Sequence, residues 1–246
     1  MSELAGKHAL VTGASRGIGA AIALALADRG ADVAITYERS AERAADVVRA
    51  IEAKGRRAIA IQADSADASA VKRSVDEAAE RLGGRDILVN NAGIARGGPV
   101  AEMSLADIDA ILDVNVRSVV LASQAAIPHL TDGGRIVSIG SCLGERVPFP
   151  GVTVYSMSKS ALLSFTRGLA RELGPRGITV NLVQPGSTDT DMNPADGAQA
   201  DMQRAMTALG HYGKPDDIAA AVAFLASPAA RQITGTTITV DGGANA

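Results

Sequence analysis

The chain has 246 residues, enough for one large α/β domain, and its single cysteine, Cys142, excludes an internal disulfide. The net charge of −3 and the lack of a basic block argue against nucleic acid as the main partner. The sequence begins with no apolar leader and contains no uncharged apolar run of about 18 residues. It therefore indicates a cytoplasmic protein without membrane association.

Strand-like and helix-like segments alternate through the first half of the chain. A glycine turn, Gly13-Ala-Ser-Arg-Gly-Ile-Gly19, separates the first apolar run from an alanine-rich helical pattern. Strands are predicted at residues 7–12, 32–37 and 57–62, and helices at 20–28, 40–54 and 68–82. Glycines permit a tight turn and let backbone N–H groups approach a phosphate at a helix N-terminus, so this turn is a candidate phosphate site.

The second half continues the alternation. Strands are predicted at residues 86–90, 135–140, 178–183 and 236–240, and helices at 105–130, 155–173 and 215–226. Residues 187–212 lack strand character and predict an irregular segment that covers a substrate. The alternation predicts one α/β domain over residues 1–246, with a doubly wound parallel sheet of seven strands.

A hydroxyl, a phenol and an amine occur close together between residues 141 and 159. Ser141 follows an apolar strand, at the sheet edge where open α/β sheets bind ligands. Tyr155 and Lys159 are four residues apart, so they share one face of a helix. A positive charge beside a phenol favours the phenolate and is expected to lower the phenol pKa. Ser138 is the rival hydroxyl, although its position within the strand predicts burial.

Several motifs in a fixed order resemble the short-chain dehydrogenase/reductase family. They are Thr12-Gly-Ala-Ser-Arg-Gly-Ile-Gly19, Asn90-Asn-Ala-Gly93, Asn115, Ser141, Tyr155-x-x-x-Lys159 and Pro185-Gly186. The resemblance runs from Leu4 to Gly243 and is strongest to the 3-oxoacyl-[acyl-carrier-protein] reductase branch. It implies a Rossmann-type fold, a homotetramer and hydride transfer between NADPH and a ketone.

The resemblance also implies roles for individual residues. Tyr155 would be the general acid, Ser141 would hold the substrate oxygen, and Lys159 would lower the tyrosine pKa and bind the nicotinamide ribose. Asn115 would hold a water that connects Lys159 to solvent. Cofactor contacts are implied for Gly13, Ser15, Arg16, Gly17, Ile18, Gly19, Tyr37, Arg39, Asp64, Ser65, Asn91, Ala92, Gly93, Tyr155, Lys159, Pro185, Gly186, Thr188 and Thr190.

The choice between NADPH and NADH depends on the end of the second strand. A carboxylate there binds the ribose of NAD, whereas basic residues accept the phosphate of NADP. The strand ends in Tyr37, and Arg16 and Arg39 favour NADPH. Glu38 is the opposing feature, and Arg39 could equally be a solvated residue at a helix start.

Substrate and partner are less well defined by the sequence. A small ketone, a ketoester or a 3-oxoacyl thioester fits the resemblance, and Arg176 matches a basic position of carrier-protein reductases. The turn at residues 131–134 lacks the basic cluster that docks an acidic carrier protein, which favours a small molecule. An NAD-dependent secondary-alcohol dehydrogenase and a non-catalytic dinucleotide-binding regulator are the alternatives. Position alone suggests these pocket residues: Glu145, Arg146, Phe149, Met192, His211 and Tyr212.

Overall fold

A computed structural model describes residues 2–246 and contains one parallel sheet of seven strands. The strands are β1 (His8–Val11), β2 (Asp32–Tyr37), β3 (Ala58–Gln62), β4 (Arg85–Asn90), β5 (Leu130–Ile139), β6 (Thr179–Pro185) and β7 (Thr237–Val240). Their order is β3-β2-β1-β4-β5-β6-β7, and every neighbouring pair is parallel. The predicted doubly wound sheet is confirmed: β2 and β3 extend it on one side of β1, and β4 to β7 extend it on the other side.

Helices cover both faces of the sheet. They are α1 (Gly17–Asp28), α2 (Ala41–Glu52), α3 (Ala68–Leu82), α4 (Leu105–Leu112), α5 (Ser118–Ala126), α6 (Thr153–Leu173), α7 (Ala200–Ala205) and α8 (Pro215–Ala226). One apolar cluster joins α1, α2 and α8 to one face, and a second joins α3, α5 and α6 to the other. Because both faces are covered, successive strand residues such as Val11 and Leu10 are buried in opposite clusters.

The long helix predicted over residues 105–130 is wrong in two respects. A π-helical turn, Asp113–Arg117, separates α4 from α5, and α5 ends at Ala126. Leu130 already belongs to β5, so the glycine pair at 133–134 lies in a strand and does not end a helix. The register of β4 against β5 shifts between Arg85 and Ile87, which accommodates the glycine pair beside the paired residues.

The segment from residue 187 to 212 is largely irregular, as its sequence predicts. Its one helix is the short α7. Side chains tie the segment internally: Asn193 Nδ2 donates to Gln203 Oε1 at 2.9 Å, and Ser187 Oγ donates to the same oxygen at 2.7 Å. The segment follows the carboxyl end of β6 and therefore lies beside the edge of the sheet where β1 and β4 also end.

Candidate active site

A cavity of about 680 Å³ opens at the carboxyl ends of the strands. Open parallel sheets bind ligands at this position, because the connections that follow the adjacent strands β1 and β4 lead in opposite directions and leave a crevice between them. The cavity is lined by all the predicted cofactor residues, which are Gly13, Ser15, Arg16, Gly17, Ile18, Gly19, Tyr37, Arg39, Asp64, Ser65, Asn91, Ala92, Gly93, Tyr155, Lys159, Pro185, Gly186, Thr188 and Thr190. Ser141 lines it too.

The glycine turn leaves no space for side chains. Gly13 and Gly17 have φ values of 63° and 55°, in the left-handed region that favours glycine. A Cβ added to Gly19 would lie 2.4 Å from Asn91 Nδ2 and 2.8 Å from the Gly13 carbonyl oxygen. No side chain caps α1, so its first-turn N–H groups remain for a ligand. The turn therefore fits a dinucleotide pyrophosphate.

Asn91 holds this turn in place. Its Nδ2 donates to the carbonyl oxygens of Thr12 at 2.9 Å and Gly13 at 3.1 Å. The backbone N–H groups of Asn91 and Ala92 both donate to Thr12 Oγ1 at 3.0 Å. The end of β4 is thereby tied to the end of β1. Although Asn91 lines the cavity, its amide group is engaged with the protein backbone.

Ser141, Tyr155 and Lys159 converge at the deeper part of the cavity. Lys159 Nζ lies 5.9 Å from the centroid of the Tyr155 ring and donates to the Ile139 carbonyl oxygen at 3.1 Å. Ser141 Oγ accepts from Leu143 N at 3.2 Å and lines the same cavity as the phenol. The rival Ser138 is fully buried and accepts a hydrogen bond from Asn90 Nδ2 at 3.3 Å. Of the two serines, only Ser141 lines the cavity.

Burial controls the acidity of these groups. It lowers the pKa of Lys159 from 10.5 to about 8, because no carboxylate compensates for the loss of solvent around the ammonium. Burial also raises the pKa of Tyr155, and the Ser141 hydrogen bond opposes that rise without reversing it. In the protein alone, burial therefore outweighs the lowering of the phenol pKa that is expected from Lys159.

Asn115 lies behind these groups, in the π-helical turn, and is fully buried. Its Oδ1 accepts from Ile94 N at 2.9 Å, and its Nδ2 donates to Ile94 O at 3.0 Å and to Ser158 Oγ at 3.1 Å. A Cβ added to Gly93 would lie 3.3 Å from Lys159 Nζ and 3.5 Å from Asn115 Oδ1. Asn115 thus adjoins the lysine, with its side chain bonded to the protein.

Comparison with known proteins agrees with this geometry. The family model described as enoyl-(acyl carrier protein) reductase matches residues 13–245. A Burkholderia cenocepacia short-chain dehydrogenase in complex with NADP superposes with a TM-score of 0.98 at 67% identity, covering 99% of this chain and 100% of that one. The chain belongs to the short-chain dehydrogenase/reductase family. This is an NAD(P)-dependent family of oxidoreductases, so the fold and enzyme class inferred from the sequence are confirmed.

Two curated members of the short-chain dehydrogenase/reductase family carry different names. The Staphylococcus aureus 3-oxoacyl-[acyl-carrier-protein] reductase FabG is 44% identical over 240 residues, covering 96% of this chain and 97% of its own. The Escherichia coli K12 cyclic-di-GMP-binding biofilm dispersal mediator protein is 44% identical over 242 residues, covering 98% of each. The similarity to the reductase branch is confirmed, and the family also includes a relative named for nucleotide binding.

The substrate side of this short-chain dehydrogenase/reductase differs in part from the positional prediction. Arg146, Phe149 and Met192 line the cavity, whereas Glu145, His211 and Tyr212 do not. Tyr212 packs instead against the Arg204 guanidinium, 5.4 Å from its ring centroid. The sequence-based prediction omitted Leu143, Met206, Ala244 and Asn245, which also line the cavity.

The part of the cavity near the end of β2, where the sequence predicts that the ribose phosphate binds, contains ion pairs that the sequence did not reveal. Arg39 Nε lies 2.7 Å from Glu38 Oε1, and Asp191 Oδ2 accepts from both Arg16 at 2.8 Å and Arg43 at 2.6 Å. Arg43 was missed, although it lies on α2 one turn after Arg39. The pairing with Asp191 joins residues 148 and 175 positions apart, which no local pattern can indicate.

Across residues 2–246, no group of three His, Cys, Asp or Glu side chains is placed to hold a metal ion. Over the same residues, every helix is too short or too polar to cross a bilayer. Cys142 is buried next to Ser141, and burial raises the pKa of its thiol to about 11. A thiol with that pKa is not a nucleophile at neutral pH.

Proposed function

We propose that this protein is a single-domain NADPH-dependent reductase that converts a ketone to a secondary alcohol. The convergence of Ser141, Tyr155 and Lys159 on a cavity that begins at the glycine turn carries this proposal. A proton donor and a dinucleotide cradle in one cavity are what carbonyl reduction requires. The irregular segment 187–212 would cover the substrate, because Met192 and Met206 line the same cavity.

In the proposed reaction, a dinucleotide held at the glycine turn would supply the hydride for the carbonyl carbon. Tyr155 holds the proton at its phenol oxygen and gives it to the carbonyl oxygen as that oxygen becomes negative. Ser141 orients the same oxygen by hydrogen bonding. Burial favours the protonated phenol, which is the form that reduction consumes.

Lys159 and Asn115 would support the acid. The buried ammonium of Lys159 stabilises the phenolate that remains after proton transfer, and its pKa of about 8 leaves most of it charged at neutral pH. Asn115 fixes the loop at Ile94 and the hydroxyl of Ser158, both of which adjoin the lysine. We assign Asn115 to the path that returns a proton to Tyr155 through water.

NADPH rather than NADH is the proposed hydride donor. Arg16 and Arg39 line the cavity where β2 ends, and Arg43 is bonded to the same carboxylate as Arg16. The similar Burkholderia cenocepacia enzyme was crystallised with NADP. Glu38 is already paired with Arg39, so its charge is partly neutralised within the protein.

A small ketone or ketoester is the proposed substrate, ahead of a 3-oxoacyl thioester on a carrier protein. Arg176 would be the basic docking residue for an acidic carrier protein. Its guanidinium donates to Asp132 at 3.1 Å and to the carbonyl oxygens of Ile127 and Leu130. Three of the five N–H donors of this guanidinium are thus engaged within the protein, which weakens its capacity to dock a partner.

A different function, nucleotide binding without turnover, has one specific observation in its favour. The Escherichia coli relative named as a cyclic-di-GMP-binding mediator is 44% identical over nearly the whole chain. Retention of Tyr155 and Lys159 in the cavity favours catalysis. The reverse activity, NAD-dependent oxidation of a secondary alcohol, would use the same groups with Tyr155 as phenolate.

Loss of NADPH absorbance with a panel of ketones and ketoesters tests the proposal. The wild-type protein should reduce at least one of them, and Tyr155→Phe should lower kcat about 10²- to 10⁴-fold because the proton donor is lost. NADPH affinity should stay close to wild type in this variant, which shows that the site is intact. Tight NADPH binding with no turnover on any carbonyl, and tight binding of cyclic di-GMP, would instead support the regulator.

We further propose that the enzyme is a cytoplasmic homotetramer. Large apolar side chains are exposed on three helices that we expect to pair between subunits, with Leu105 on α4, Val120 on α5 and Met157 on α6. Exposed apolar side chains on adjacent helices are typical of interfaces between subunits. A chain with one buried cysteine is suited to a reducing compartment.

A further inference from the structure

Arg16 and Arg39, which are expected to bind the ribose phosphate of NADPH, are already ion-paired within the protein. Arg16 and Arg43 donate to the same oxygen, Oδ2 of Asp191, at 2.8 Å and 2.6 Å. Arg39 pairs with Glu38 at 2.7 Å. A phosphate that enters here therefore meets arginines that already bind a carboxylate.

Asp191 has the position and charge of a competing anion. Arg16 comes from the glycine turn and Arg43 from α2, so the carboxylate bridges the two elements that flank the end of β2. The two hydrogen bonds hold the pKa of Asp191 below its ordinary value, with the Arg43 bond the larger cause. Asp191 is thus fully charged at neutral pH.

The exchange is feasible because all three side chains are more than half exposed. Ion pairs at this exposure are weak and exchange readily. A 2′-phosphate carries about −1.5 to −2 charges and three acceptor oxygens, so it can bind two guanidinium groups better than one carboxylate oxygen can. The neutral 2′-hydroxyl of NADH cannot replace Asp191 in this way.

We propose that Asp191 is an internal competitor of the NADPH phosphate and thereby sets how strongly the enzyme prefers NADPH over NADH. The inference rests on the proposed use of NADPH. It assigns Arg43 to the phosphate site together with Arg16. In the NADH complex Asp191 stays on the arginines, and in the NADPH complex the phosphate takes its place.

Fluorescence titration of the purified protein with NADPH and with NADH gives the two dissociation constants. Asp191→Asn keeps the shape of the side chain and removes the charge. It should lower the dissociation constant for NADPH about threefold to tenfold, with a smaller change for NADH, so the affinity ratio rises. Asp191→Glu retains the charge and should leave the ratio near that of the wild type.

The matched control is Asp201→Asn, which removes the same charge from the same segment. Asp201 is fully exposed and pairs with Arg204 at 2.7 Å, away from Arg16 and Arg43. This variant should keep the wild-type ratio. Equal shifts for both dinucleotides in Asp191→Asn, or weaker NADPH binding, would overturn the role of Asp191. Failure of the wild-type protein to bind NADPH would overturn the proposed cofactor itself, so the two failures are distinguishable.

Discussion

At the scale of single residues, Lys159 is proposed to support catalysis, yet the burial of its charge destabilises the folded protein. Its ammonium is buried and donates to one carbonyl oxygen, that of Ile139, at 3.1 Å. The depressed pKa of about 8 means that the folded protein holds this proton less firmly than the unfolded chain does. Below pH 8 both states carry the charge, so the full cost of burying it falls on the folded state.

Replacing Lys159 by Met should therefore stabilise the protein while abolishing its activity. At pH 7 the free energy of unfolding should rise by up to about 3 kcal/mol, since each pKa unit corresponds to about 1.4 kcal/mol. The wild type gains stability as the pH rises from about 8 towards 10.5, so the advantage of the variant should shrink over that range. Urea unfolding at pH 7 and pH 10 measures both values, and a variant less stable at pH 7 would contradict the argument.

Tyr155, Lys159 and Asp191 show which features of the site could be predicted from the sequence and which could not. The Tyr155–Lys159 spacing correctly predicted that both side chains face one cavity. It could not predict that burial raises the phenol pKa in the protein alone, because burial depends on residues far away in the chain. The Asp191 pair with Arg16 was missed for the same reason, since it joins residues 175 positions apart.

At the scale of elements, local patterns predicted most of the fold. β2, α3 and α8 begin and end where the sequence pattern places them, because turn residues and caps delimit them. Asp67 caps α3 by accepting from Ser69 N and Ala70 N. The π-helical turn was not predicted, since one added residue per turn has no compositional signature. That turn contains Asn115, so the missed feature lies at the site.

The turn after β7 is a further element that acts on the site. Asp241 accepts from Gly243 N at 2.9 Å and Asn245 N at 3.0 Å, and Asn245 Nδ2 donates to the Cys142 carbonyl oxygen at 2.8 Å. Arg146 also donates to the Ala244 carbonyl oxygen at 2.8 Å. These bonds connect the turn to the loop that begins with Ser141.

We expect Asn245→Ala to lower kcat about threefold to tenfold, because Ser141 loses a support that fixes its position beside Tyr155. The dissociation constant of NADPH should not change, since the glycine turn is untouched. Asn245→Asp is the matched variant: it keeps the shape but cannot donate to the Cys142 carbonyl, so it should show the same loss. Steady-state kinetics and NADPH titration separate the two effects, and an unchanged kcat in both variants would refute the positioning role.

At the scale of the whole molecule, the amino ends and the carboxyl ends of the parallel strands differ in the role of their charged groups. At the amino ends of the strands, Asp32 pairs with Arg56 and Arg57, and Asp86 with Lys7. Burial raises the pKa of Asp32 and Asp86, but these hydrogen bonds outweigh it and leave both lowered. The stability that this lowering supplies is present above the ordinary carboxyl pKa and is lost as the pH falls through the lowered values. Ion pairs within the protein cover the amino ends of these strands, whereas the cavity lies at the carboxyl ends.

Helix α6 has two faces: one lines the cavity, and we expect the other to lie in an interface between subunits of the tetramer. Lys159 lies buried on the cavity side, whereas Met157 is 51% exposed on the outside, and Val120 of α5 is exposed as well. Light scattering should find a tetramer for the wild type. Val120→Glu should dissociate it into smaller species, because burying an unpaired carboxylate in an interface is costly. Val100→Glu, an exposed valine outside these helices, is the control and should stay tetrameric; a monomeric wild type would refute the assembly. Because α6 carries both faces, dissociation should also reduce the rate of ketone reduction more than it reduces NADPH affinity.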